Sequence, residues 1–319
     1  MKKRILFILA GITILLIVIL IVFPFRFYVK KTVHISAPVQ IVSDQLSNPN
    51  NWSHWFPDLK SKQDEILAYA DSGLTTNTHS QQNDSLRFTF IKITPTEIFA
   101  KEQKADKTIY HALFAIPDSF GMATNVTWAK SYSPIGWLKE IISPSREMLT
   151  GLNNLKRFSE NPKYAYGFQI SIKRITDTLV ITKMTRTRKE NSVNTLREMF
   201  DELEGYTKKY HLRVNNLRMA AFKNKGNDTV EILAGIPVIK RAPETADIVY
   251  LKMPGNGRML VGEYEGPYQG IHKLYEAMER YKIDKTLQQV ATNYEKYFTD
   301  PVTHEDSLHM KIELNYPIL

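Results

Sequence analysis

The segment from Tyr164 to Leu319 runs twice through the same order of elements, and this repetition limits the folds open to it more than any other feature. The first pass alternates apolar and polar residues through "YGFQISIKRI" and "TLVITKMTRT", turns helical from Ser192 to Tyr210, and alternates again in "NLRMAAFKN" and "VEILAGIPVIK". The second gives "DIVYLKMP" and "RMLVGEYEG", a helix from Tyr268 to Tyr281, then "NYEKYFTDP" and "LHMKIELNYPIL". Period two marks half-buried strands and period 3.6 marks amphipathic helices, so each pass reads strand, strand, helix, strand, strand. Val193, Leu196, Phe200, Leu203 and Tyr210 form the apolar face of the first helix, and Ile271, Leu274, Tyr275 and Met278 that of the second. Pro237 and Pro317, eighty residues apart, close the last strand of each pass, a place where proline is tolerated. Two such halves, related by a pseudo-twofold axis, put both helices on one face of the sheets. A groove remains where they meet, and small molecules bind in such clefts.

The repeat also singles out an acid. Glu313 lies four residues before Pro317, and the matching position in the first pass is Leu233. If that position points inward, Glu313 is a carboxylate in an apolar cleft, where lost hydration raises its pKa unless a cation or donors compensate; otherwise it faces solvent from an edge strand. Tyr264 and Tyr268 bracket the Gly266-Pro267 turn. Phenols there offer flat apolar area with one polar tip, suited to stacking on an aromatic or cationic ligand. Tyr264 is expected inward, and Glu263 and Glu265, on the other strand face, outward. Tyr297 and Glu295 share a face of the next strand, and either reaches the groove or faces water. The ligand-binding candidates are therefore Glu313, Tyr264, Tyr268, Tyr297 and Glu295.

The stretches "GEYEGPYQGIHKLYEAMERY", "NYEKYFTDP" and "KIELNYPI" resemble the GyrI-like effector-binding domain, which occurs alone and as the C-terminal half of AraC- and MerR-type regulators. The resemblance covers about 150 residues. It implies a small-molecule pocket with an acid at the position of Glu313 among the ligand contacts; a hydrophobic cation would offset the charge of such a buried acid. Some relatives hydrolyse strained electrophiles, which leaves an alternative open: a hydrolase or cyclase using Glu313 as acid or base. No helix-turn-helix precedes the domain and no tryptophan follows Trp137, so neither direct DNA binding nor an indole-dependent pocket is expected.

Ahead of this domain, "TVHISA" reads as a strand, "VQIVSDQLSN" as a helix after Pro38, and "SLRFTFIKIT", "TEIFAKEQ", "TIYHALFAI" and "ATNVTWAKSY" as strands. A helix is expected from Leu138 to Ser159, interrupted near Ser143-Pro144-Ser145. Residues 33 to 57 and 151 to 160 resemble the opening and closing segments of the SRPBCC or START-like superfamily, helix-grip proteins that include polyketide cyclases. Trp52, Trp55, Phe88, Phe90, Tyr110, Phe114 and Trp128 either line the cavity that this implies or simply fill the core. His54 and His111 lack the company that zinc requires, and no metal or other cofactor is expected.

At the start, 21 uncharged residues from Ile5 to Phe25 would span about 31 Å as a helix, at about 1.5 Å per residue, enough for a bilayer core. Arg26 and two aromatics follow in place of a small-residue cleavage site, so an uncleaved single-pass anchor is expected, with the domains extracytoplasmic. The formal charge of +9 includes six basic residues flanking this run; the remaining 36 basic and 33 acidic residues nearly balance, so no nucleic-acid footprint is indicated. Without cysteine there is no disulfide, thiolate metal site or thiol nucleophile. The expected fold is α+β: an anchor with its basic flank (1–30), a helix-grip SRPBCC-like domain (31–162), and a duplicated GyrI-like domain (163–319).

Overall fold

The computed structural model describes Gly11 and residues 26–48, 51–57, 67–70, 73–79, 85–104, 107–214, 217–299 and 309–319. Among them no helix is long and apolar enough to cross a membrane, and the run from Ile5 to Phe25, expected to do so, lies outside them apart from Gly11. The chain divides into two compact units, Met1–Asn161 and Pro162–Leu319.

The first unit is one antiparallel sheet of seven strands: β1 (Phe27–Ile35), β2 (Leu67–Ala70), β3 (Gly73–His79), β4 (Ser85–Ile93), β5 (Glu97–Lys104), β6 (Lys107–Pro117) and β7 (Thr124–Tyr132). Their order is β1-β7-β6-β5-β4-β3-β2, so the first strand returns to close against the last. Helix α1 (Val39–Ser47) and a helical turn at Trp52–Trp55 follow β1, and α2 (Pro134–Ile142) and α3 (Glu147–Glu160) follow β7. The break between α2 and α3 falls at Ser143 to Arg146, around Pro144. Helix α2 starts four residues earlier than the periodicity indicates, because Pro134 is at the first turn and the Ser133 hydroxyl accepts from Gly136 N at 3.2 Å. Helix α3 lies against the sheet at Gly151, where a Cβ would come within 2.6 Å of the Trp128 ring. Its own Leu152 and Leu155 are buried, as are Trp52, Trp55, Phe56 and Trp128.

The second unit is a single eight-stranded antiparallel sheet built from the two passes: β8 (Gln169–Arg174), β9 (Leu179–Arg188), α4 (Ser192–Lys209), β10 (Arg218–Asn224) and β11 (Thr229–Pro237), then β12 (Val249–Lys252), β13 (Arg258–Gly266), α5 (Ile271–Asp284), β14 (Tyr294–Tyr297) and β15 (Met310–Ile318). The order is β12-β9-β11-β10-β14-β15-β13-β8. Read from either end, the sheet is a palindrome about the β10–β14 pair, with one exchange: the leading strand of each half pairs with the second strand of the other. Both helices cover the same face. Val193 is exposed on α4, and Met199 and Tyr206 complete the buried stripe in its place. On β13, Gly262 faces α5; a Cβ there would meet Met278 Sδ at 2.6 Å and Leu274 Cδ1 at 2.8 Å, so the helix can seat only on a bare backbone.

The β13–α5 turn, which carries two glycines and two tyrosines, is braced by one of those tyrosines. Tyr264 lies across it and donates its hydroxyl to Pro267 O at 2.5 Å. Gly266 has φ +148°, a region open to glycine, and a Cβ on Gly270 would fall 2.2 Å from the Tyr264 oxygen. Tyr268 to Gly270 form a 3-10 turn that leads into α5.

Candidate functional site

On the helix-covered face of the second unit, β14 turns Glu295 and Tyr297 inward, as residues two apart on a strand must do. Tyr268 from the 3-10 turn and Tyr275, about two helical turns later, both reach them. Three hydroxyls donate to one carboxylate: Tyr275 at 2.7 Å, Tyr297 at 2.5 Å and Tyr268 at 3.1 Å. Glu295 is 1% exposed. Burial pushes its carboxyl above the ordinary value of 4.5, and the three donors pull back against that. The phenols are driven upward in turn, first by burial and then by the charge of Glu295, so they remain donors. Among the described residues no lysine, arginine or histidine pairs with this carboxylate.

Tyr297 is also a wall of a cleft of about 630 Å³ between α4 and the sheet, which it shares with Glu204, His211, Leu212, Arg218 and Ile236. Arg218 Nη2 donates to Glu204 at 2.5 Å, and its guanidinium stands 5.5 Å from the Phe200 ring centre. Phe200 in turn meets Tyr297 edge to face at 6.3 Å. The cleft is thus lined by charged side chains of α4 and β10 and by Tyr297, whose hydroxyl reaches Glu295.

Among the described residues no helix covers the opposite face of the sheet. Glu313 is there, opposite Glu263 on β13 and Lys296 on β14, with Leu233 of the first pass on the same face. Its carboxylate pairs with Lys173 Nζ at 2.7 Å, and Glu263 shares that lysine at 3.0 Å. Lys296 pairs with Asp177 at 2.6 Å. Beside these pairs an apolar groove of about 470 Å³ is lined by Val180, Met219, Leu233, Leu251, Met253 and Tyr294, drawn from both halves.

Of the five sequence candidates, the structure brings together Tyr268, Glu295 and Tyr297. Tyr264 shares their face, but its hydroxyl is committed to the turn; Glu263 and Glu265 point to solvent. Glu313 lies across the sheet from all of them. Tyr275 joins the cluster unannounced by the strand pattern, and the signal for it was its spacing of seven from Tyr268.

In the first unit, His111 is not solitary. Its Nε2 is 2.8 Å from Glu102 Oε2, and Trp128 Nε1 donates to its Nδ1 at 3.1 Å, all three residues being buried. An indole N–H only donates, so Nδ1 is the acceptor of that bond and Nε2 is the nitrogen that faces Glu102. Strand neighbours bring Glu102 to His111, and nothing in the spacing of nine residues announces it. Trp52, Trp55, Phe90 and Trp128 are core, Tyr110 and Phe114 are half-buried, and the side chain of Phe88 lies outside the described residues. His54 stacks on Phe158 at 4.6 Å. Among the described residues no group of three or more His, Asp or Glu is placed to hold a metal ion.

No known family and no curated protein matches the chain. Among solved structures it is similar to EcmrR in a cryo-EM complex with DNA, at 14% identity over 57% of this chain and 68% of that one, with a TM-score of 0.43. It is similar to the crystal structure of the EcmrR C-terminal domain at 14% identity, covering 48% of this chain and 98% of that one, with a TM-score of 0.41. The Zhui aromatase/cyclase from Streptomyces sp. R1128 is similar at 12% identity over 43% and 95% of the two chains, with a TM-score of 0.33. The neighbours thus include the C-terminal domain of a DNA-bound protein and a cyclase, and the likeness is one of fold.

Proposed function

We propose that the second unit binds a small hydrophobic cation, with Glu295 as its counter-charge and Tyr268, Tyr275 and Tyr297 as the aromatic walls. The observation that carries this reading is a carboxylate 1% exposed, held by three phenols and, among the described residues, by no cation. Hydrogen bonds reduce the cost of burying a charge without cancelling the charge, and an organic cation with a greasy shell supplies what is missing. Phenol faces add attraction for it. The adjoining cleft, of about 630 Å³, is of the size that drug-like molecules occupy. Glu313 is the less suited acid, because Lys173 already occupies its carboxylate at 2.7 Å; the same lysine stands where water or an electrophile would have to sit in a hydrolase. The apolar run from Ile5 to Phe25 tethers this unit to a membrane as a single-pass anchor, with the domains on the extracytoplasmic side.

The test is calorimetric titration of the full chain with tetraphenylphosphonium. Glu295→Gln weakens binding by about tenfold or more, as loss of a charge-assisted contact of about 1.5–3 kcal/mol requires. Glu313→Gln stays within about twofold of the parent, a difference of at most a few tenths of a kcal/mol. Unchanged affinity in Glu295→Gln removes that residue from the site, and a selective loss in Glu313→Gln moves the site to the other face.

A further inference from the structure

Helix α2 is inside out. Its buried residue is an acid, Glu140, whose carboxylate accepts from Ser145 N at 2.9 Å and Ser145 Oγ at 3.0 Å. Its aliphatic residues face outward: Ile135 is 71% exposed, Leu138 54%, Ile141 53% and Ile142 75%. At 100° per residue these four lie on one side of the helix, a continuous greasy stripe left exposed by the described residues of the unit. Exposed stripes of this kind mark a surface built to meet something apolar.

Where α2 lies in the fold indicates what that is. Trp137, on its inner side, stacks on Phe27 with ring centres 5.0 Å apart. Phe27 is the first residue of β1 and follows the last residue of the uncharged run, Phe25, by two positions. Two residues of extended chain reach at most about 7 Å, so α2 is pinned within about a helix diameter of the point where that run ends. Among the described residues around it, Arg26, Lys30, Lys139 and Arg146 are exposed, whereas Glu140 is turned inward and Glu147 is paired with Lys130 at 2.6 Å.

We propose that α2 is a membrane-interface helix: Ile135, Leu138, Ile141 and Ile142 sink into the headgroup and acyl boundary of a bilayer with anionic lipid, and the nearby basic residues meet the phosphates. This rests on the reading of residues 5 to 25 as an anchor, and goes beyond it by giving the first unit a second foothold and so a fixed tilt. A nine-residue helix is too short to cross a bilayer but long enough to lie in its surface. The anchor raises the local concentration of the weak surface contact, so the two together hold where α2 alone would not.

The chain has no cysteine, so single cysteines can be placed and spin-labelled without background. Full-length Leu138→Cys, Ile142→Cys, Phe120→Cys and Leu15→Cys are reconstituted in phosphatidylcholine vesicles containing phosphatidylglycerol, and accessibility is measured to oxygen and to a water-soluble nickel chelate. Phe120, 86% exposed, lies in the turn at the other end of β7 and serves as the aqueous control. The expected result is an oxygen-to-nickel ratio at 138 and 142 at least about fivefold above that at 120, with the label at 15 also in lipid. A ratio at 138 and 142 equal to that at 120, with 15 in lipid, overturns the proposal and leaves the anchor standing. A label at 15 that is open to the nickel chelate overturns both. Immobile labels at 138 and 142, shielded from both reagents, show α2 covered by protein, either the 5 to 25 segment or a second copy, and overturn the lipid assignment.

Discussion

Glu295 and Glu313 illustrate how much a single residue position decides. Each is followed or preceded within two residues by a tyrosine or leucine in a short alternating strand, and the two strands are neighbours in the sheet. The register pairs Glu295 with Leu314 and Glu313 with Lys296, so the two acids leave the sheet on opposite sides. Alternation alone states which residues share a face and leaves open which face the helices cover. The consequence is testable by pH. The folded-state pKa of Glu295 lies above its unfolded value, so its contribution to stability is fully present below the ordinary glutamate value of 4.5 and is lost as pH rises through the raised one. Thermal melts of Glu295→Gln against the parent are expected to coincide at pH 4.5 or below and to favour the variant increasingly towards neutrality; a constant offset would place the native carboxyl in its ordinary range. The same linkage predicts weaker binding of a lipophilic cation as pH falls through the raised value, because a neutral acid attracts no cation. In the first unit, Trp128→Phe removes the donor to His111 Nδ1 from a buried site and is expected to cost about 1–3 kcal/mol in urea unfolding.

Elements were legible where period and length agreed. The ββαββ order of both passes emerged from alternation and helical spacing, and α4 began at the expected residue. What the pattern did not carry was the fit between elements. Gly262 and Gly205 look alike in the sequence, yet one is the seat of α5 and the other lies exposed on α4 with nothing within 4 Å of a Cβ. Gly262→Ala is expected to destabilise by about 1–3 kcal/mol, since Met278 and Leu274 must move. Gly205→Ala is expected to stabilise by about 0.5–1 kcal/mol, since it removes backbone freedom from the unfolded chain and meets no obstacle. Denaturant midpoints at constant slope distinguish the two, and equal signs would refute the contrast. Helix α2 escaped for another reason: its apolar spacing is that of any amphipathic helix, and only the position of Glu140 inside shows that the stripe faces out.

At the scale of the whole molecule, the exchange of leading strands makes the two halves of the second unit dependent on each other. Strand β12 pairs with β9 and β8 with β13, so a half taken alone loses its leading strand's partner and bares a sheet edge. The fragment from residue 244 to 319 is therefore expected to be unfolded by circular dichroism and proton NMR, and to gain structure on mixing with the fragment from 162 to 243. A stable isolated half would show that the duplication is one of two autonomous domains. The shared core points the same way, because Phe200 and Leu203 of one half pack in one cluster with Ile271, Tyr297 and Ile312 of the other.

The sequence by itself determined the order of elements in the second unit, the duplication and the near-balance of charge outside the first 31 residues, because these depend on local periodicity and composition, which survive without any tertiary contact; in the first unit it left out β2 and β3. Only the tertiary structure decided that Tyr275 and Glu295 meet, that Glu313 is claimed by Lys173, that His111 is gripped by Glu102 and Trp128, and that α2 wears its isoleucines outward. The reason is physical: strand register and helix rotation are fixed by packing across the chain, and a shift of one residue in either exchanges the buried set for the exposed one.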